Sequence, residues 1–294
     1  MRRALLGTYT YAEFFTQAMA YLPIMALSSL RHRGDPTQRI PGRWMRRFGR
    51  TTARATPLWK FSVEGEAPAD IASSGYVVVA NHESTADPFL LSFLPWDMRW
   101  IAKEEIYRMP LLGWLMRSGG DIPLRRGDRE SVAEMFRESK RALAAGISIM
   151  MFPEGTRSAD GSLGAFKDGA FQLAVDAQVP VLPLALAGTR ACRPKGSLWF
   201  GDARAIVKVL EPIPTKGLGP EDVAIVREQA RSRIAEAVVD LRARTTSLGI
   251  AGSVPAAAAG EAASVSATTS TSPVGKRRDA RDARDANEDA VSAL

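Results

Sequence analysis

A succession of short apolar runs, each separated from the next by a stretch of different pattern, constrains this chain more than any other feature. LWKFSVEGE (58–66), YVVVA (76–80), MRWIAK (98–103), GDIPLRR (120–126), ISIMMF (147–152), VPVLPLAL (179–186) and RAIVKVLEP (204–212) read as strands. Between several of them lie helical patterns: from Pro88, over 130–146 with Gly146 as the stop, around 168–177, and over 220–244. Runs apolar on both sides, alternating with helices, predict an α/β fold with a mostly parallel central sheet flanked by helices. In such sheets ligands settle outside the carboxyl ends of the strands. The loops that leave YVVVA and ISIMM are therefore the places to look for a site.

After YVVVA comes NHESTADPF (81–89). His82 suits proton abstraction near neutral pH, and a carboxylate such as Asp87 can hold its ring. Only one other histidine, His32, exists in the chain. Asp87-Pro88 also has the form of a helix start, with Asp at the N-cap and Pro at N1. Five residues along an ideal helix are about 140° apart in direction, so the pair meets only if His82 lies in the loop. After ISIMM comes MFPEGTRS (151–158), a turn offering backbone N–H groups, a hydroxyl and a guanidinium, which suits a phosphate. An ordinary strand-to-loop turn with a surface arginine has the same composition.

The two stretches together resemble the glycerolipid acyltransferases. NH-x4-D and FPEGTRS are joined by GDIPLRR (120–126), similar to a third family block that ends on Arg126, and by VPVLPLAL with Pro180 and Pro183. FKDG (166–169) continues the pattern. Pro123 departs from it, standing where the family has an aromatic residue. The resemblance covers roughly residues 58–215 and implies that His82 is a general base oriented by Asp87. It also implies that Glu154, Gly155, Thr156 and Arg157, joined by Arg126 and Lys167, form an acceptor-phosphate site. Glu154 cannot itself welcome a phosphate, so ordering Arg157 or binding a glycerol hydroxyl is its expected part. The implied reaction moves an acyl chain from acyl-CoA or acyl-carrier protein to 1-acylglycerol-3-phosphate, giving phosphatidic acid. No metal and no cofactor beyond the acyl donor is expected. Another lysophospholipid, a lyso-amino-acid lipid or glycerol-3-phosphate is an alternative acceptor. A thioesterase or lipid hydrolase, with His82 activating water, is the alternative from another class. Ser84 as an acyl-enzyme nucleophile and Cys192 as a catalytic thiol are both disfavoured.

The ends of the chain carry separate expectations. Residues 4–30 are apolar apart from Glu13, Gln17 and small hydroxyl residues. As a helix they extend about 40 Å, and an interfacial or re-entrant anchor is expected ahead of a full span. RIPGRWMRRFGRTTARA (39–55) comes next as a basic amphipathic helix, with Ile40, Trp44, Met45 and Phe48 on one side and arginines around the other. Residues 1–60 hold eleven Lys/Arg and two acids, against a net charge of +7 for all 294 residues. A basic end beside an apolar one points to anionic membrane lipids as partners and gives no sign of nucleic acid. The expected divisions are 1–56 for membrane-associating helices, 57–248 for the α/β domain and 249–294 for a disordered low-complexity tail. For Leu111, Leu112, Trp114, Leu115 and Met116 plain core is expected ahead of an acyl-chain groove. The implied location is the cytoplasmic face of the inner (plasma) membrane.

Overall fold

The computed structural model describes residues 2–158, 161–193 and 200–247. The expected tail, 249–294, lies outside them. Seven strands form one sheet: β1 (Trp59–Glu64), β2 (Val77–Ala80), β3 (Met98–Lys103), β4 (Ile122–Leu124), β5 (Ser148–Met151), β6 (Val181–Ala187) and β7 (Ala203–Val209). Their order across the sheet is β1-β7-β6-β2-β5-β3-β4. All neighbours are parallel except β6 and β7.

The three central strands explain the unbroken apolar runs. Every residue of β2, β5 and β6 is buried, as expected where both faces of a parallel sheet are covered. Val77, Val79, Ile149 and Met151 pack with residues of α6 (Arg129–Ala144), α7 (Gly169–Ala177) and α8 (Val223–Ser247). Val78, Ala80, Met150, Leu182 and Leu184 face the other way and join Leu90 and Leu91 of α3 (Asp87–Leu91). Each fully buried Val, Leu or Ile contributes about 1.5–3 kcal/mol by leaving water. Pro123 sits on β4, at the edge of the sheet, where a missing N–H is tolerated.

The chain begins with two long helices, α1 (Arg2–Arg31) and α2 (Arg39–Ala55). Phe14, Tyr21 and Leu22 of α1 pack with Trp44, Met45 and Phe48 of α2, and with Leu115 of α5 (Leu112–Ser118). The connection from β3 to α5 passes through a single turn, α4 (Glu104–Tyr107).

The arginines of α2 do not behave as the amphipathic pattern suggests. Arg39, Arg43 and Arg46 all converge on Asp97, with Arg39 at 3.0 Å and Arg43 at 2.9 Å. Arg46 also donates to the Met98 carbonyl at 2.9 Å, and Arg50 to that of Ser92 at 2.9 Å. The reason is their spacing: 39, 43, 46 and 50 fall on one helical stripe, and that stripe faces the sheet domain. Arg47 stacks instead on Trp44, its guanidinium carbon 4.6 Å from the ring centre.

Among the described residues, no helix is both long and apolar enough to cross a membrane. The helix α1 nevertheless leaves Leu5, Tyr9, Phe15, Met19, Ile24, Leu27 and Leu30 exposed. At 100° per residue these side chains cover one side of the helix, an arc of roughly 180°.

Candidate active site

Parallel register brings the site together. Val79 lies beside Met151 on β5 and Pro183 on β6, so three neighbouring strands end at the same edge of the sheet. Asn81 closes the end of β2 against β6: its side chain donates to the Leu186 carbonyl at 2.9 Å and accepts from the Leu186 amide at 2.8 Å. Beyond it His82 lies in the loop rather than on a helix. Its ring stacks on Phe152, with centres 4.0 Å apart.

In this position His82 Nδ1 is 2.6 Å from Asp87 Oδ2. The helix α3 begins at Asp87 itself, with Ala86 at its N-cap, one residue earlier than the sequence pattern places the cap. The carboxylate serves the preceding loop: Oδ2 also accepts from the amides of Glu83 at 2.9 Å and Ser84 at 3.0 Å. Oδ1 accepts from the Thr189 hydroxyl, contributed by the turn after β6. Asp87 is fully buried, while the His82 side chain keeps 20% of its surface exposed. With Nδ1 turned to Asp87, Nε2 is the ring nitrogen left for chemistry.

The second loop, residues 152–157, leaves β5 beside the dyad. Gly155 has φ +68°, a conformation that favours glycine. Gly155, Thr156, Arg157, Arg126 and Lys167 line the same cavity as His82. Burial pushes the Lys167 ammonium below its ordinary range, and the positive charge of Arg126 adds to that effect. Burial also lowers Arg126, against the pull of Glu105. Crowded, partly desolvated cations are relieved by an anion placed among them.

Glu154 departs from its expected place. Its Oε1 accepts from the His82 amide at 2.7 Å and its Oε2 from the Gly164 amide at 2.9 Å. With both oxygens held by backbone, it braces the two loops against each other and does not face the cavity. The two amide hydrogen bonds are the physical reason for this inward orientation. The loops are joined again by the Ser158 amide, which donates to the His82 carbonyl at 3.0 Å.

The cavity measures about 960 Å³ and is mostly apolar away from the cations. Phe14 and Phe15 of α1, Phe48 of α2, Phe89, Trp100 and Ile106 line it. Leu111, Leu112 and Met116 line it too, while Met116 is buried and Leu111 packs against the cluster around Leu115. Leu115 is fully buried in the core, whereas Trp114 is exposed. Cys192 is fully buried, and burial pushes its thiol up, the opposite of what a nucleophile needs. Ser84 is buried, its hydroxyl accepting from the Ala86 amide at 3.2 Å. No cluster of metal-ligating side chains occurs among the described residues.

Several contributors escape sequence reasoning. Phe152 and Asn81 flank residues already singled out, and their place next to strand ends was an available signal. Thr189 had none, because its partner is 102 positions away.

Comparison with known proteins gives a consistent set of similarities. The family model described as Acyltransferase matches residues 60–187. A chloroplast 1-acyl-sn-glycerol-3-phosphate acyltransferase of Brassica napus is 33% identical over 214 residues, 70% of this chain and 60% of that protein. The human 1-acyl-sn-glycerol-3-phosphate acyltransferase alpha is 35% identical over 161 residues, 54% of this chain and 56% of that protein. The chain thus spans less than two thirds of the length of either relative. The crystal structure of the 1-acyl-sn-glycerophosphate acyltransferase PlsC from Thermotoga maritima superposes with a TM-score of 0.68 at 28% identity, covering 82% of this chain and 96% of that one.

Proposed function

We propose that the chain, whose residues 60–187 match the family model described as Acyltransferase, transfers a fatty acyl group from acyl-CoA or acyl-carrier protein to 1-acylglycerol-3-phosphate. One observation carries this reading: a buried Asp87 holds His82 in the wall of an apolar cavity that also presents Arg126, Arg157 and Lys167. A base, a place for an acyl chain and a place for a phosphate are the three things the reaction needs.

In this mechanism His82 Nε2 takes the proton from the free hydroxyl of the lysophospholipid. The hydroxyl oxygen attacks the thioester carbonyl, and a new C–O bond forms. The C–S bond then breaks, and the departing thiolate takes the proton from the His82 imidazolium. Asp87 keeps the ring oriented and stabilises its charge, as the carboxylate of a triad does, without an enzyme nucleophile. Arg157 and Arg126 bind the acceptor phosphate, with Lys167, Thr156 and the Gly155 backbone completing the site. Residues 57–248 are the catalytic unit, and 1–56 dock it on the cytoplasmic face of a membrane that supplies the lipid and contains anionic lipids.

The test is acyl transfer by detergent-purified protein, with acyl-CoA and acyl-carrier protein as donors, competing lyso-lipids as acceptors, and products identified by mass. Phosphatidic acid is the expected main product. His82→Ala lowers kcat by a factor on the order of 10² or more. Free fatty acid formed at the same rate without acceptor would mean a hydrolase and overturn the proposal.

A further inference from the structure

We propose that Glu83 and Arg242 act as a positioning pair, by which the C-terminal helix α8 sets the orientation of the His82–Asp87 dyad. The inference rests on the acyl-transfer reading for its kinetic consequences, though not for its structural ones.

Glu83 comes directly after the base, and its backbone amide already donates to Asp87. Its side chain is 4% exposed, yet it is a carboxylate. One oxygen accepts from Arg242 Nη2 at 2.7 Å, and the other from the Gly188 amide at 3.1 Å. The next residue is Thr189, whose hydroxyl bonds Asp87. Glu83 therefore touches both supports of Asp87: the loop before it and the turn beside it.

That turn packs closely against β7. Gly188 has φ +94°, and a Cβ there would run into the Arg204 carbonyl. The carboxylate is clasped between this turn and a guanidinium brought from a helix 159 positions away in sequence. Burial pushes Glu83 toward its neutral form, and Arg242 opposes this. Without Arg242 a buried, poorly satisfied acid remains beside the dyad, and the loop must shift or take up a proton. A shift of about 1 Å at a catalytic group can cost 10²-fold in rate. An ordinary structural ion pair would lower stability and leave the ring of His82 undisturbed.

The experiment compares the full chain with Glu83→Gln, Arg242→Ala, Arg242→Lys and the double variant Glu83→Gln/Arg242→Ala. Glu83→Gln keeps the shape of the side chain and guards against a variant that does not fold; thermal melts verify folding. Nitrogen-15 NMR of the imidazoles tracks His82, assigned with His82→Asn, with His32 as internal reference. Glu83→Gln and Arg242→Ala should each move the His82 ring signals, leaving those of His32 in place. Each should lower kcat about 10- to 100-fold, with both KM values within about twofold of wild type. Arg242→Lys should recover most of the rate. The double variant should be no slower than the slower single one, because both changes remove one interaction. Unchanged His82 signals in folded variants, or rate losses that multiply, would overturn the pair. If wild type transfers no acyl group, the functional reading fails, while the ring signals still decide the positioning role.

Discussion

Asp87 accepts hydrogen bonds from His82, Glu83, Ser84 and Thr189. A carboxylate with both oxygens engaged in this way cannot rotate, so it fixes the imidazole more firmly than one contact would. Arg157 plays the opposite part, lining the cavity where a ligand can reach it. Arg157→Ala should raise the acceptor KM about 10- to 100-fold, the value of one hydrogen bond to a charged group, with kcat less affected. Arg157→Lys should recover only part of this, since an ammonium lacks the planar fork. Steady-state kinetics with varied acceptor measure both, and an unchanged KM would remove Arg157 from the phosphate site. The sequence left the His82–Asp87 contact conditional on His82 lying in the loop after an apolar strand, and it does; Arg126 was singled out only by the family resemblance. The inward turn of Glu154 was not legible, because its partners are backbone amides, which no residue type announces.

At the scale of elements, Asp97 is the tie between α2 and the sheet. Burial works to raise its carboxyl, but hydrogen bonds and charge from Arg43, Arg46 and Arg39 hold it below the ordinary value. A depressed folded pKa means that this contribution is present above the unfolded value, about 3.9, and is lost as pH falls through the folded one. Asp97→Asn should cost about 3 kcal/mol at neutral pH, because it removes the carboxylate in direct contact with the buried Arg46. The deficit should shrink in acid. Urea unfolding at neutral pH and near pH 3 tests both statements. The sequence made the helix itself plain, down to its bounds of 39–55. Its orientation was hidden, because an arginine stripe reads equally as a lipid-facing surface until an acid 50 or more positions away is brought against it.

For the whole molecule, the exposed apolar side of α1 lies on the helix that also helps line the cavity. In the membrane docking proposed above, this side of α1 is the surface that meets lipid. Met19→Glu with Leu27→Glu should therefore reduce sedimentation with anionic phospholipid vesicles about tenfold or more, since each buried Met or Leu contributes about 1.5–3 kcal/mol. Unaltered sedimentation would place the docking surface elsewhere. The contacts around His82 also span very different distances along the chain: 5 positions to Asp87, 72 to Glu154, and from Asp87 102 to Thr189. The tie from Glu83 to Arg242 spans 159. A ribosome releases these partners in that order. The base is thus made early and steadied last, so a chain halted before α8 carries both motifs without the last of these contacts. The final helix also covers the sheet, through Val226, Ala230, Ile234 and Leu241, so that last contact and the closing of the core come from one stretch of chain.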